Sequence, residues 1–159
     1  MIKVGIIGCG FVGGALKNWL ENNNPECKLF ISDPPKGYND DLSGIDIAFL
    51  QIHVPTEEDG SQDLTLMKQL IKNLPDVPVF VRTTILPGTS AMLTKETGHN
   101  VYYMPEFLTE RTFIEDFNKQ TMVFTGAQDL LTKIFVGKKF TVMSPLEAEL
   151  TKYMHNVFG

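Results

Sequence analysis

A glycine-rich turn near the start of the chain has residue types and spacing that point directly to chemistry. Residues 8–13 read GCGFVG, follow the apolar run 4–7 and lead into a helical pattern. In this spacing the first glycine allows a tight strand-to-helix turn, the second lets backbone approach a diphosphate, and the third lets helix pack on sheet. Asp33 ends the next apolar run, where a carboxylate can accept ribose hydroxyls. The pattern predicts a dinucleotide site, with phosphates held by the free N–H groups at the helix start.

Three later segments follow predicted strands and are rich in polar or turn-forming residues. They are residues 54–56 (VPT), 83–89 (TTILPGT) and 105–110 (PEFLTE). The carboxyl ends of parallel strands border one crevice, so these segments are expected to converge there with the glycine turn. Taken singly, each threonine also fits ordinary turn chemistry, in which its hydroxyl bonds local backbone.

A final helical segment adds Lys152 and Asn156, which are four residues apart and project from one face. An ammonium and an amide N–H in that arrangement can hold a single oxygen, although a solvated helix face also explains a lone lysine. Glu106 and Glu110 would then supply acid and base groups beside the same crevice. Residue spacing gives no metal site.

Two of the three histidines have interpretations that do not involve chemistry. His53 follows a buried strand, and we expect it to make a structural hydrogen bond. His99 lies between Gly98 and Asn100, so we assign it to a surface loop. His155 points about 100° away from its neighbour Asn156 on a helix and is left out of the predicted site.

Apolar periodicity predicts alternating strands and helices that position these residues. The strands are predicted at residues 2–7, 28–32, 47–52, 79–82, 101–104, 122–125 and 140–143, and the helices at residues 11–21, 63–74, 89–97 and 129–136. Ser144, Pro145 and Glu147 form a capping box that begins a last helix. The fold class is therefore α/β, a doubly wound parallel sheet (Rossmann-like) ending in a C-terminal helix.

The connection between the second and third predicted strands is unusually short. Only about a dozen residues separate Asp33 from the third predicted strand, which is the minimum for a parallel crossover. The pair Pro34-Pro35 is expected to exclude an immediate helix. We therefore predict a sheet that is abbreviated at this point.

Composition limits the classes of function. The chain has 159 residues, 43% of them hydrophobic and 21% charged, which suits one globular domain. A formal net charge of −5 argues against a nucleic-acid partner. No apolar stretch is long enough for a secretion signal or a membrane span, so a cytoplasmic location is expected. The two cysteines, Cys9 and Cys27, are interpreted as free thiols with packing roles.

Several motifs together resemble the UDP-glucose and GDP-mannose dehydrogenases. GCGFVG, VPT with EDGSQDL, RTTILPGT, PEFLTE with IEDF, and EAELTKYMHNVF occur in the order and approximate spacing of that family, over nearly the whole chain. The pair PEFLTE and ELTKYMHN is far more specific than the glycine turn. The resemblance implies oxidation of the C6 alcohol of a nucleotide sugar to an acid, with two NAD molecules in succession and a cysteine thiohemiacetal and thioester on the way.

The resemblance assigns roles by position. The NAD contacts it implies are Gly8, Gly10, Phe11, Val12, Gly13, Asp33, Lys36, Val54, Pro55, Thr56 and Thr84. The substrate contacts it implies are Glu106, Phe107, Leu108, Thr109, Glu110, Lys152 and Asn156. Glu110 is expected to assist the water that hydrolyses the thioester, Lys152 and Asn156 to steady the oxyanion, and Thr84 to act beside them.

The chain also departs from the family pattern. The nucleophilic cysteine and general-base aspartate of the family lie downstream of the Lys152 helix, and neither Cys9 nor Cys27 matches them. We expect residues 1–143 to form the NAD-binding domain and residues 144–159 to begin the central helix, without the C-terminal nucleotide-binding domain. Arg111 replaces a usual glycine, Thr121 replaces a common arginine, and the short segment after Asp33 favours weaker adenine binding.

These departures leave several outcomes open. The isolated chain is expected to bind NAD without completing the oxidation, and its partners to be a nucleotide sugar and either a second copy or a complementing C-terminal domain. One alternative is a β-hydroxyacid dehydrogenase-like enzyme that transfers a single hydride. Another is a catalytically silent module that binds NAD or a partner protein.

Overall fold

A computed structural model describes residues 1–158, which form a sheet with helices on both faces. The strands are β1 Lys3–Ile7, β2 Lys28–Asp33, β3 Tyr38–Asn39, β4 Ile47–Leu50, β5 Val79–Val81, β6 Val101–Tyr103, β7 Met122–Phe124 and β8 Phe140–Val142. The helices are α1 Phe11–Asn23, α2 Thr65–Lys72, α3 Thr89–Thr97, α4 Phe113–Lys119, α5 Gln128–Ile134 and α6 Pro145–Phe158.

The main sheet has the strand order β3-β2-β1-β4-β5-β6. All neighbours in it are parallel except β3, which pairs antiparallel with β2. β1 lies between β2 and β4, with Ile6 opposite both Ile31 and Phe49. The chain runs outward from β1 in both directions, so a crevice opens beyond the carboxyl ends of β1 and β4. The predicted Rossmann-like fold class is confirmed.

The last two strands do not join this sheet. β7 and β8 pair with each other as a separate two-stranded sheet. The Thr125 N–H donates to the Tyr103 carbonyl at 3.1 Å, and Thr125 Oγ1 accepts from the Tyr103 N–H at 2.9 Å. The sequence pattern predicts both strands but not this separation, because it does not define which strands pair.

The short connection after β2 contains a 3-10 turn, Pro34–Lys36, that Gly37 ends with φ of 84°. The expectation that Pro34-Pro35 excludes an immediate helix is wrong for this single turn, because the first positions of a helix do not need their N–H groups. β3 then returns along β2, and β4 follows directly. The sheet is abbreviated at the predicted place.

Helices cover the sheet on both faces because strand residues alternate between them. Helices α1, α4 and α5 pack on the face that carries Ile6 and Phe49, and α2, α3 and Ala148 of α6 pack on the face that carries Ile7 and Leu50. Helix α4 was not predicted, and its Phe117 packs on Trp19 with ring centroids 6.1 Å apart. None of the helices within residues 1–158 has the length and apolar character needed to cross a bilayer.

Candidate functional site

The three glycines of the turn have different surroundings. Gly8 has φ of +87°, and a Cβ there would lie 2.2 Å from the Gln51 carbonyl oxygen. A Cβ at Gly13 would lie 2.1 Å from the Gly8 carbonyl oxygen, whereas at Gly10 it would meet only Lys36 Nζ at 3.7 Å. The outer two glycines therefore allow close backbone packing, and the middle one leaves space open in front of the turn.

The N-terminus of α1 faces this open space. Gly10 is its N-cap residue and provides no side-chain cap. Within residues 1–158 the N–H groups of Phe11, Val12 and Gly13 have no hydrogen-bond acceptor, as expected for the first turn of a helix. A cleft of about 250 Å³ lies in front of them and is also lined by His53. Free N–H groups and the helix dipole make this cleft suitable for a diphosphate.

Asp33 lies at the carboxyl end of β2, directly beside the turn. Its Oδ2 accepts the Cys9 N–H at 2.7 Å, and Lys36 Nζ donates to the Cys9 carbonyl at 3.2 Å. Both side chains line a second cleft, of about 580 Å³, whose apolar wall includes Leu66 and Leu70 of α2. Burial raises the pKa of the Cys9 thiol, so the thiol stays neutral at ordinary pH.

His53 differs from its predicted role. Its side chain is exposed and has no hydrogen-bond partner in the described part of the chain, so the expected structural hydrogen bond is wrong. It lines both the 250 Å³ cleft and the 580 Å³ cleft. Its position just after the carboxyl end of β4 was the signal that could have revealed it.

The VPT segment follows His53 in the same loop. Val54 is buried in the core, the Pro55 carbonyl accepts the Asp63 N–H at 2.9 Å, and Thr56 forms an antiparallel bridge with Gln62. Gln62 Nε2 in turn donates to the Thr84 carbonyl at 3.0 Å. The loop after β4 is thus tied to the loop after β5, and Thr56 itself is exposed at its surface.

Lys152 forms a largely buried ion pair with Glu106. Lys152 Nζ lies 3.3 Å from Glu106 Oε1, and the two side chains are 5% and 11% exposed. The ammonium also donates to the Glu106 carbonyl, and the second carboxylate oxygen accepts the Leu108 N–H at 2.7 Å. The same ammonium lies 5.3 Å from the centroid of the Phe107 ring. Two residues that the sequence analysis assigned to the crevice are therefore in contact.

Asn156 lies one helical turn further along α6, beside Thr84. Asn156 Nδ2 donates to Thr84 Oγ1 at 3.4 Å. The neighbouring Thr83 Oγ1 donates to the Ile52 carbonyl at 2.8 Å and joins the ends of β4 and β5. Four predicted residues are brought together at the carboxyl ends of β5 and β6: Thr84, Glu106, Lys152 and Asn156.

The end of the PEFLTE segment turns away from these four residues. Leu108 packs against the core, and Thr109 donates its N–H to Asp116 Oδ2 at 3.0 Å, a bond that holds the pKa of Asp116 below its ordinary value. Glu110 is exposed and makes no hydrogen bond or ion pair within residues 1–158. The structure does not bring Glu110 into contact with Lys152 or Asn156, and its role in hydrolysis stays a prediction.

Glu149 anchors α6, a role that the sequence analysis did not assign. It is 0% exposed and accepts hydrogen bonds from the Gly88 N–H, the Ser90 hydroxyl and, at 3.2 Å, the Ser90 N–H at the start of α3. A carboxylate at a helix N-terminus stabilises the free N–H groups there. Its spacing from Lys152 and Asn156 on one helix face is the signal that could have revealed it.

Arg82 is a second residue that sequence reasoning missed. It is 3% exposed, and its Nη1 donates to the Val12 carbonyl at 3.4 Å while its guanidinium lies 5.5 Å from the Phe117 ring centroid. Burial lowers its pKa to about 10, although the nearby Glu106 opposes the change. A charged residue that ends a buried strand was the available signal. Arg82 connects the first turn of α1 with the PEFLTE end of the crevice.

Comparisons with known proteins find similar sequences and a similar fold. The family model described as UDP-glucose/GDP-mannose dehydrogenase family, NAD binding domain, matches residues 15–140. UDP-glucose 6-dehydrogenase of Rickettsia felis is 27% identical over 141 residues, which cover 76% of this chain and 32% of that protein. UDP-glucose 6-dehydrogenase AglM of Haloferax volcanii is 28% identical over 150 residues, covering 75% and 35%. The chain thus spans about a third of the length of these curated relatives.

A solved structure has the same fold. GDP-mannose dehydrogenase from Pseudomonas aeruginosa, crystallised as a ternary complex, superposes with a TM-score of 0.75 and 20% sequence identity. The superposition covers 98% of this chain and 49% of that one. At this identity the likeness concerns the fold, and it extends from β1 through α6.

Proposed function

The chain belongs to the UDP-glucose/GDP-mannose dehydrogenase family, to its NAD-binding domain, and on this premise we propose that it holds the NAD of a nucleotide-sugar 6-dehydrogenase. Such an enzyme oxidises the C6 alcohol of the sugar to a carboxylate. The observation that supports the proposal most strongly is the Asp33 carboxylate, held by the Cys9 N–H beside the open N-terminus of α1.

The residues present fit this coenzyme. A Cβ at Gly10 would occupy the space in front of the turn, so glycine leaves room for a diphosphate on the N–H groups of α1. Asp33 would accept the ribose hydroxyls, and Leu66 and Leu70 offer an apolar wall for a base. When bound, NAD supplies a hydride acceptor at the far end of the crevice, where Thr84 and Asn156 lie.

Asp33 also accounts for coenzyme choice. Its Oδ2 is fixed by the Cys9 N–H, and Oδ1 has no hydrogen-bond partner among residues 1–158. A carboxylate at this point accepts the two ribose hydroxyls and repels a 2′-phosphate. We therefore propose a preference for NAD over NADP. The positive charge of Lys36, beside the ribose, would attract a 2′-phosphate and so opposes this preference.

The second half of the proposal concerns the sugar. Lys152 and Asn156 would hold the oxygen at the reacting carbon, the ammonium by charge and the amide by its N–H, with Thr84 Oγ1 beside Asn156. Glu106 holds the ammonium in position by pairing with it. The substrate roles of Phe107, Leu108 and Thr109, and the assistance of Glu110 to hydrolysis, rest on the resemblance of the PEFLTE motif.

The covalent steps require a thiol that we propose lies outside these 159 residues. Cys9 lies in the glycine turn and Cys27 just before β2, and burial raises the pKa of both thiols. A thiol with a raised pKa is a poor nucleophile at neutral pH. A complementing C-terminal domain is the proposed source, and the partner substrate is a nucleotide sugar.

Titration of NAD and NADP into the chain tests the coenzyme proposal. Wild type should bind NAD more tightly than NADP, as measured by calorimetry. Asp33→Asn should weaken the affinity for NAD about tenfold or more, because it removes a charged acceptor. It should also reduce the difference in affinity between NAD and NADP. Asp76→Asn is the matched control, since Asp76 is exposed and precedes β5 at the amino end of the parallel strands, opposite the clefts. Absence of NAD binding, or tighter binding of NADP by wild type, would contradict the proposal.

A further inference from the structure

His53 lies where the two clefts of the coenzyme site meet. Gly10, Gln51, Ile52 and His53 are the residues that line both of them. We infer that His53 is an additional coenzyme contact, whose imidazolium binds the diphosphate and makes coenzyme affinity depend on pH near neutrality. This inference rests on the proposed NAD site and adds a residue to it.

The placement of the clefts explains why a dinucleotide would pass this residue. One cleft contains the free N–H groups of Phe11, Val12 and Gly13, and the other contains Asp33 and Lys36. A molecule with its ribose at Asp33 and its diphosphate at the start of α1 must cross the junction between them. His53 follows β4, the strand adjacent to β1, and therefore lines that junction from the opposite side of the turn.

The other two histidines have roles within the fold, and His53 does not. The ring nitrogens of His99 lie 3.1 Å from the Leu74 carbonyl and 3.3 Å from the Thr97 carbonyl. The ring of His155 packs edge-on against Phe107, with centroids 4.9 Å apart. His53 is exposed and has no hydrogen-bond partner in the region that the structure describes, so both its nitrogens are available to a ligand.

The charged groups around His53 decide whether a pH dependence of coenzyme affinity can be assigned to this residue. From β2 the charged group that lines the cleft with His53 is Asp33, and from the 3-10 turn it is Lys36. Helix α2 presents Leu66 and Leu70, and the end of β5 presents Thr83. Glu57, Glu58 and Asp59 follow His53 in its own loop and line neither cleft.

These neighbours keep a constant charge where a histidine titrates. Carboxylates, lysines and the diphosphate do not change charge between pH 6 and pH 8, and histidine is the side chain that does. An imidazolium beside a diphosphate attracts it, whereas a neutral imidazole offers only one N–H donor. Affinity for the diphosphate should therefore rise as pH falls through this range.

The test is calorimetric titration of the whole chain with NAD, ADP-ribose and adenosine at pH 6, 7 and 8. In wild type, NAD and ADP-ribose should bind about threefold to fivefold tighter at pH 6 than at pH 8, the size of a partly exposed ion pair. Adenosine has no phosphate, so its affinity should be constant. His53→Gln should abolish the pH dependence, and His53→Lys should retain the tighter binding at pH 8.

His99→Gln is the matched control, because His99 precedes β6 at the amino end of the parallel strands, opposite the clefts. It should keep the wild-type pH dependence, with thermal unfolding used to verify that each variant is folded. Retention of the pH dependence by His53→Gln, or an equal dependence for adenosine, would overturn the role of His53 while leaving NAD binding intact. Failure of wild type to bind NAD at any pH would instead overturn the coenzyme proposal.

Discussion

The two ends of the crevice are built from different materials. At the coenzyme end, backbone atoms form the site: two glycines in close contact with carbonyl groups, and the free N–H groups of α1 in front of clefts of about 250 and 580 Å³. At the α6 end, charged side chains are paired with one another, as in Lys152 with Glu106. A cavity lined by Glu106, Arg82 and Lys138, but not by Lys152, measures about 20 Å³, the space of roughly one water molecule.

The coenzyme end is therefore an open site, whereas at the α6 end the proposed substrate-binding side chains are already paired with one another. The coenzyme end has open volume and unpartnered donors, so a ligand can bind without displacing protein contacts. At the α6 end the side chains proposed for chemistry already satisfy each other, and a substrate oxygen must compete with Glu106 for the Lys152 ammonium. Substitutions at the two ends should therefore fail in different ways.

The largest effect should follow Gly13→Ala. Its Cβ would lie 2.1 Å from the Gly8 carbonyl oxygen, a contact that only a backbone shift can relieve. We expect the free energy of unfolding to fall by at least about 3 kcal/mol, measured by urea denaturation, with coenzyme binding lost. If the variant does not fold at all, its near-UV circular dichroism will lack the wild-type signal. That result is the extreme case of the expected destabilisation.

Gly14→Ala is the matched control within the same helical turn. The nearest atom to its Cβ would be Phe113 Cε2 at 3.9 Å, an ordinary contact. Replacing glycine with alanine inside a helix should leave stability unchanged or raise it by about 0.5–1 kcal/mol. Equal destabilisation by Gly13→Ala and Gly14→Ala would contradict the conclusion that the close backbone contact at Gly13 shapes the coenzyme end of the crevice.

The next largest effect should follow Lys152→Met at the α6 end. This change leaves the 11% exposed Glu106 carboxylate without its cation, and we expect a loss of about 3 kcal/mol in the free energy of unfolding. The double variant Glu106→Gln, Lys152→Met removes both charges and should recover much of that loss. NAD affinity should be unchanged in both variants. The single variant Glu106→Gln completes the double-mutant cycle, and additive losses in that cycle would show that the pair does not stabilise the fold through its charges.

The smallest effect should follow Ser144→Ala at the beginning of α6. The Glu147 N–H donates to Ser144 Oγ at 3.3 Å, and Glu147 Oε2 accepts the Ser144 N–H at 3.2 Å, so the predicted capping box is present. Its loss should cost about 0.5–1 kcal/mol and increase hydrogen exchange in the first turn of α6. Ser144→Asp should retain the cap. A loss as large as that of Lys152→Met would mean that the cap, rather than the buried contacts, holds α6.

Local patterns allowed much of this molecule to be predicted. The glycine turn, the position of Asp33 and the capping box at Ser144 each depend on residues a few positions apart or on a known spacing, and geometry follows from them. Helix α4 was missed because its seven residues carry too little periodicity and Thr112 provides no side-chain cap. The two-residue strand β3 was missed for the same reason of length.

Partnerships over long distances in the chain could not be predicted. Lys152 pairs with a residue 46 positions earlier, and Glu149 bonds to Gly88, 61 positions earlier. The sequence predicts Lys152 and Glu106 beside one crevice but not that they form an ion pair, and it predicts no partner for Glu149. The separation of β7 and β8 from the main sheet and the exposure of His53 are tertiary outcomes of the same kind. The first altered the expected sheet, and the second altered a prediction about the crevice.

The brief excursion between β2 and β4 has a practical consequence for protein engineering. Residues 34–37 are all exposed, and the 3-10 turn places no side chain in either core cluster. This stretch can be exchanged as one segment together with Asp33, because neither hydrophobic core cluster contains its side chains, although Asp33 and Lys36 bond to Cys9 and their replacements must preserve those contacts. A change of coenzyme specificity from NAD to NADP would then require substitutions only at Asp33 and in this surface turn.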